Sequence, residues 1–373
     1  MRQLASIQKI TRLDPIPDRD RIVLASMEDN AWRVIVRKDD YNIGDLCVYV
    51  EIDSVLPQKP EFEFLAKNNY RIKTMKMAGV LSQGICFPLS ILPKRDTPYK
   101  QHEDVTEIIG VKHYDEYPEI EEVVVENSKK TLKSLLYRFK FTRKLAQKIY
   151  GKPKKKGFPS FIPKTDETRI QNAPWMLDGT GGFVCTEKVD GTSFTAYLKK
   201  NHGLISLFKP YEYGVCSRNQ ELERDDSFYW KVSDKYDIEF FLRNFIEDVN
   251  REWVCLQGEI IGPKIQGNKY ERDEYELYGF NLMQASIIDP YDLLPVRLLT
   301  LDAKPIAEHW GIPWVPIVSI VDELPDTVDE MLEAADGISR LHNRAREGLV
   351  VRAVSSDTSF KAVSNKFLLK EGE

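Results

Sequence analysis

Lys188, Asp190 and Gly191 lie in the run Cys185-Thr186-Glu187-Lys188-Val189-Asp190-Gly191-Thr192. A lysine amine attacks a phosphoryl group only when it is deprotonated, so such a lysine needs burial or nearby positive charge to bring its pKa down. A strand end feeding a tight Asp-Gly turn would hold the amine rigidly. Asp190 would then orient the lysine or a metal-bound water, and Gly191 would let the backbone come close to a ligand. The triplet alone is weak, since average composition produces it in roughly one chain of this length in fifteen. A surface lysine ahead of an ordinary turn is the plain alternative.

Four further segments follow in order. They are Ser217-Arg218-Asn219, Gly258-Glu259-Ile260-Ile261-Gly262-Pro263-Lys264-Ile265-Gln266-Gly267, Leu277-Tyr278-Gly279-Phe280-Asn281 and Glu347-Gly348-Leu349-Val350-Val351-Arg352. Singly, each has a bland explanation: Arg218 and Glu259 as a surface pair, Phe280 as core, Glu347-Gly348 as a turn. Their joint order behind Lys188 is the informative signal, because it resembles the ordered motifs of the covalent nucleotidyltransferases and, most closely in the Gly258-Glu259 segment, of ATP-dependent RNA ligases.

That resemblance implies roles. Lys188 would attack ATP and carry AMP, Glu187 and Gly191 would line the nucleotide site, and Arg218 would contact ribose or phosphate. Phe280 would stack on adenine, while Asp190, Glu259 and Glu347 would hold a hydrated Mg2+ or Mn2+. Near the end of the chain, Phe360-Lys361-Ala362-Val363-Ser364-Asn365-Lys366-Phe367 resembles the motif whose lysines meet the α-phosphate, but Val363 stands where a Lys-x-Lys spacing requires lysine. Lys361 is the better candidate, with Lys366 or Lys370 as its partner. Upstream, the segment from Lys164 to Asn172 resembles the one preceding the nucleophile, and Arg169 would reach the ATP phosphates.

The elements that must position these residues divide the chain in two. Short alternating runs such as Trp32-Arg33-Val34-Ile35-Val36 and Val48-Tyr49-Val50-Glu51-Ile52, separated by turn formers, predict a small β-barrel over residues 1–127. GDLCVYVEIDSVLP and RIKTMKMAGVLSQGICFPL resemble the OB domain attached to Naegleria-type RNA ligases. DNA ligases and capping enzymes carry their OB domain after the nucleophile, where this sequence leaves no room for one. Residues 158–373 mix β-like runs with helical stretches at residues 238–249 and 328–341, which predicts α+β. The expected fold is an OB-like barrel followed by an ATP-grasp-like nucleotidyltransferase domain of antiparallel sheets with flanking helices.

Between the two, residues 128–157 predict a basic amphipathic helix and linker. Leu132, Leu135, Leu136, Phe139, Leu145 and Ile149 recur near a helical period, and 12 cations with no acid lie between Lys129 and Lys156. Subtracting them from the net charge of −5 leaves −17 on the remainder, so positive charge is concentrated there. A solvated helix face and an RNA contact are both open readings of that run.

Composition is that of an ordinary globular chain, 42% hydrophobic and 30% charged. With no signal-like leader or long apolar run, an intracellular protein without membrane association is expected, in the cytoplasm with the nucleus as the alternative. The sequence leaves the oligomeric state open, with a monomer favoured. Cys47, Cys86, Cys185, Cys216 and Cys255 are scattered and read as reduced, mostly buried thiols. The expected activity joins 3'-hydroxyl and 5'-phosphate ends of nicked or broken RNA. A non-catalytic RNA-binding shell and a ligase for nicked DNA are the alternatives.

Overall fold

A computed structural model of the chain describes residues 3–114, 156–164, 166–289 and 292–371. The basic run at residues 129–155 lies outside the described residues. Among the described residues, no helix is long and apolar enough to cross a membrane.

The first unit is a curled antiparallel sheet built from β1 (Ala5–Ile16), β2 (Arg19–Met27), β3 (Arg33–Arg37) and β4 (Leu46–Val50), with a hairpin β5 (Thr74–Met77) and β6 (Val80–Gln83), and then β7 (Ile85–Pro88). The strand order is β3-β2-β1-β4-β7. One long strand curls the sheet: residues 5–9 of β1 pair with β4, residues 10–16 pair with β2, and the register slips between Ile10 and Arg12. Such a bulge lets one strand serve two sheet faces and increases the local twist. Inside the curl are Ile7, Ile10, Trp32, Tyr49 and Phe62.

The second unit stacks two sheets. Its strands are β8 (Lys156–Gly157), β9 (Thr168–Arg169), β10 (Phe183–Lys188), β11 (Thr192–Lys200), β12 (Tyr211–Cys216), β13 (Gln220–Leu222), β14 (Trp253–Ile261), β15 (Glu276–Asp289), β16 (Asp292–Arg297), β17 (Ile317–Val321), β18 (Gly348–Ala353) and β19 (Ser359–Val363). The larger sheet runs β8-β13-β12-β11-β14-β15-β16 and the smaller runs β9-β19-β18-β10-β17. All neighbours are antiparallel except β9 and β19.

Helices α1 (Phe228–Lys235) and α2 (Ile238–Val249) lay Trp230, Phe241, Leu242 and Ile246 on Phe194, Leu198 and Val215 of the larger sheet. Three more helices follow: α3 (Thr300–His309), α4 (Val328–Ala335) and α5 (Asn365–Glu371). Under the smaller sheet, α4 buries Val328, Met331 and Leu332 against Phe183, Cys185, Leu349, Val351 and Phe360. Alternation along the strands therefore turns Lys188, Val350, Lys361 and Arg169 to the opposite face.

The helix expected over residues 328–341 starts on a capping box formed by Thr327 and Glu330 but ends at Ala335. Beyond it, Gly337 takes φ +152 and packs on the Arg346 guanidinium, so a helical path is lost and residues 336–347 become a loop. The cysteines are free thiols, and all except the half-buried Cys86 are buried.

Several bonds join the two units. Ala31 N donates to Gln171 O at 2.9 Å, Asn172 Nδ2 to Glu51 Oε1 at 2.8 Å, and Gln83 Nε2 to Asn365 Oδ1 at 3.1 Å.

Candidate active site

Lys188 is the last residue of β10 and lies opposite Gly348 of β18, which puts its amine beside Glu347, the residue that leads into β18. Lys188 Nζ is 2.7 Å from each carboxylate oxygen of Glu347. A close backbone approach makes this possible, because a Cβ on Gly348 would sit 2.2 Å from the Ala362 carbonyl of β19. Only glycine lets three strands converge there.

Gly191 has a similar task, and it differs from the expected one. A Cβ there would lie 2.3 Å from the Ile260 carbonyl, so the missing side chain brings the Asp190-Gly191 turn against β14. Its N–H then donates to Glu259 Oε1 at 3.1 Å. Glu259 thus reaches the site because β11 and β14 are paired with Ser193 opposite Glu259.

Asp190, after β10, completes the acidic surroundings of Lys188. Its Oδ2 accepts from Lys269 Nζ at 2.5 Å, and its backbone N–H donates to the Tyr270 hydroxyl at 2.8 Å. Neither Lys269 nor Tyr270 was singled out by the motifs, although both directly follow the Gly258 to Gly267 segment. Only the long-range fold brings them to Asp190.

The electrostatics of this cluster run against the expectation of a lowered lysine pKa. Burial pulls the Lys188 ammonium down, but Glu347, Glu259 and Asp190 together outweigh it and raise its pKa. Burial pushes the Glu259 carboxyl up to about 8, with Glu347 and Asp190 adding to it while Lys188 and the Gly191 N–H oppose it. Burial likewise raises Glu347 against the pull of Lys188 and Lys361. Three carboxylates therefore converge on one buried amine, and for Glu259 and Glu347 burial penalises the charged form. A divalent cation suits such a donor set. Among the described residues no three acidic, histidine or cysteine side chains are close enough to enclose a metal by themselves, so these carboxylates suit a hydrated ion held partly through water.

Lys361 sits on β19 opposite Val350, with its positive charge felt at Glu347. Val363, at the position where lysine was sought, lies opposite Gly348 and is 1% exposed, so a lysine there would have to bury its charge. Phe280, on β15, is half-buried, and its carbonyl accepts from Arg352 Nη1 at 2.7 Å. Arg352 also bonds Glu167 at 3.2 Å, tying the adenine candidate to the segment before the nucleophile.

Four expected residues bond to partners outside this cluster. The Glu187 side chain leaves the opposite face of β10 from Lys188, where its buried carboxylate accepts from Ser339 Oγ and from Arg340 N at 2.7 Å. It anchors the loop at residues 336–347. Arg169, buried on β9 beside Lys361, reaches across the unit boundary to Asp53 Oδ2 at 2.5 Å. Arg218, in the turn after β12, bonds Asp166 at 2.9 Å. Lys366, on α5, is largely exposed and pairs with Asp336 at 2.9 Å.

Family models match the two units separately, and solved structures match them together. A model of an OB-fold domain matches residues 4–89, and the RNA ligase model matches residues 181–363. A search of the curated proteins finds no match. Among solved structures, the chain is similar to Naegleria gruberi RNA ligase with pyrophosphate, at 28% identity and a TM-score of 0.76, over 100% of this chain and 99% of the other. A variant of that ligase with ATP and manganese aligns over 100% of both chains at 28% identity and a TM-score of 0.75. Another, with AMP and manganese, gives the same identity and score over 100% of this chain and 99% of its own.

Proposed function

We infer that this chain, a member of the ATP-dependent RNA ligases with an amino-terminal OB domain, joins RNA 3'-hydroxyl and 5'-phosphate ends through a lysyl-AMP intermediate on Lys188. The observation that carries the residue assignment is the position of the Lys188 amine, at a strand end and 2.7 Å from Glu347. Glu347 bonds this amine, and the charges of Glu259 and Asp190 act on it as well.

In the first step the Lys188 nitrogen attacks the α-phosphorus of ATP as the bond to pyrophosphate breaks. The proton that the ammonium must lose passes to the carboxylates around it, Glu347 first by distance. Asp190, Glu259 and Glu347 would hold a hydrated magnesium or manganese ion, which when bound would supply positive charge that favours the free amine. Lys361 neutralises charge developing on the α-phosphate, and Phe280 offers its ring to adenine. In the later steps AMP passes to an RNA 5'-phosphate, and the 3'-hydroxyl displaces it. All three are in-line transfers in which positioning and charge neutralisation dominate.

Glu187 serves this site as an anchor for the loop leading to Glu347. Arg169 serves it by holding the OB domain against the smaller sheet. RNA ends are the partner, and the basic run at residues 129–156 is their proposed contact.

The test is sealing of a nicked RNA duplex by the purified protein with ATP and divalent metal, scored on denaturing gels. Joined strands are expected with the native chain and none with Lys188→Ala. A native chain that seals only when the 3'-hydroxyl strand is DNA would reassign the substrate.

A further inference from the structure

We propose that Lys269 is a positioning residue for adenylyl transfer that acts through Asp190, an assignment that rests on Lys188 being the nucleophile. Three side chains of one short segment grip the turn after Lys188. Lys269 Nζ holds Asp190 Oδ2 at 2.5 Å, the Tyr270 hydroxyl accepts the Asp190 N–H at 2.8 Å, and Gln266 Nε2 donates to Gly191 O at 3.3 Å. Burial raises the pKa of the Tyr270 hydroxyl, so it stays un-ionised in that role.

The backbone that delivers these groups is strained. Lys264, Gln266, Asn268 and Glu271 take φ of +66, +44, +53 and +54, with Gly267 at +66 between them. Side chains rarely adopt that region, and clusters of such residues persist only where the surroundings over-determine them. Here Asn268 bonds Arg272 twice at 3.0 Å, and the His342 ring packs edge-on against Tyr270. Glu271 pairs with Arg344. The strain is spent on placing one cation beside one carboxylate.

Of the three gripping residues, only Lys269 brings charge. Its side chain and that of Asp190 are 26% and 19% exposed, and its amine lies 4.9 Å from the Phe367 ring of α5. An ion pair so placed is a poor device for stability, because desolvation offsets the attraction. Beside a reacting amine it has a different value. It commits Asp190 Oδ2 to one direction and offsets the negative charge of Asp190 beside Lys188. Misplacement of a group by about 1 Å is enough to cost on the order of a hundred-fold in rate.

The experiment is single-turnover adenylylation of the full chain with α-labelled ATP and manganese, with melting temperatures as a folding control. Lys269→Met is expected to lower the rate at saturating ATP ten- to hundred-fold with the ATP KM within two-fold, and Lys269→Arg to recover most of the loss. In an Asp190→Asn background the same Lys269→Met change should cost less than two-fold. Should Lys269→Met not fold, Lys269→Gln takes its place. A loss that Lys269→Arg does not relieve, a raised KM with an unchanged rate, or a full further loss in the Asp190→Asn background overturns the proposal. Absence of labelling in the native chain would instead strike the ligase assignment, so the two failures are distinguishable.

Discussion

Lys188 and Glu347 are 159 residues apart in sequence, yet their charged groups meet at 2.7 Å because β10 and β18 are paired with Lys188 opposite Gly348. In the proposed mechanism the pair joins the nucleophile to the acid that takes its proton. Every other part of the site is arranged around it.

Replacing Glu347 by glutamine keeps the shape and removes the charge. Adenylylation should fall about 10²–10³-fold, the usual cost of deleting one preorganised electrostatic group. Rapid-quench labelling measures it, and a rate within three-fold of native would show that Glu347 is not part of the reaction.

Gly191→Ala places a Cβ 2.3 Å from the Ile260 carbonyl, with backbone rather than a flexible side chain in the way. The turn must move off β14, costing about 1–3 kcal/mol as for other overpacked sites. Urea unfolding should report that loss, together with slowed labelling. Native stability in this variant would mean that the turn has room the structure denies it.

Asp53→Ala leaves the Arg169 guanidinium buried without the carboxylate it meets at 2.5 Å. Breaking one side of such a pair costs about 3–5 kcal/mol, whereas replacing both partners by apolar groups is far milder. Denaturation of Asp53→Ala should thus show a large loss that Asp53→Leu combined with Arg169→Met partly restores. If the double variant is as unstable as the single one, the bond does not join the two units in the way described.

Added manganese should raise the melting temperature of the nucleotide-free protein, since a ligand that binds only the folded state stabilises it by mass action. The rise should vanish in a variant carrying both Glu259→Gln and Glu347→Gln. An equal rise in that variant would place the metal elsewhere. Chelation should abolish labelling, and either magnesium or manganese should restore it.

Much of this was legible in the sequence because it is local. Lys188-x-Asp190-Gly191, Gly258-Glu259 and Glu347-Gly348 are short runs whose glycines and acids identify themselves, and alternation at Arg33-Val34-Ile35-Val36 marked a strand of the curled sheet. What stayed hidden depends on contacts between distant residues. Lys269 and Tyr270 matter through Asp190, some 80 residues away, and no local period marks them. The bond from Arg169 to Asp53 was hidden because that partner belongs to the other unit. Glu187 is next to the nucleophile in sequence but on the other face of the strand, which adjacency alone does not reveal. The helix expected through residue 341 stopped early because Glu187 binds the Ser339 and Arg340 stretch as a loop.

Sealing by this protein requires that one amine, that of Lys188, carries AMP. Incubating the protein with ATP and manganese, digesting it and sequencing the modified peptide by mass spectrometry tests this most directly. The predicted result is a single AMP on Lys188, absent from Lys188→Ala. AMP on any other lysine, or the same extent of modification in Lys188→Ala, would contradict it.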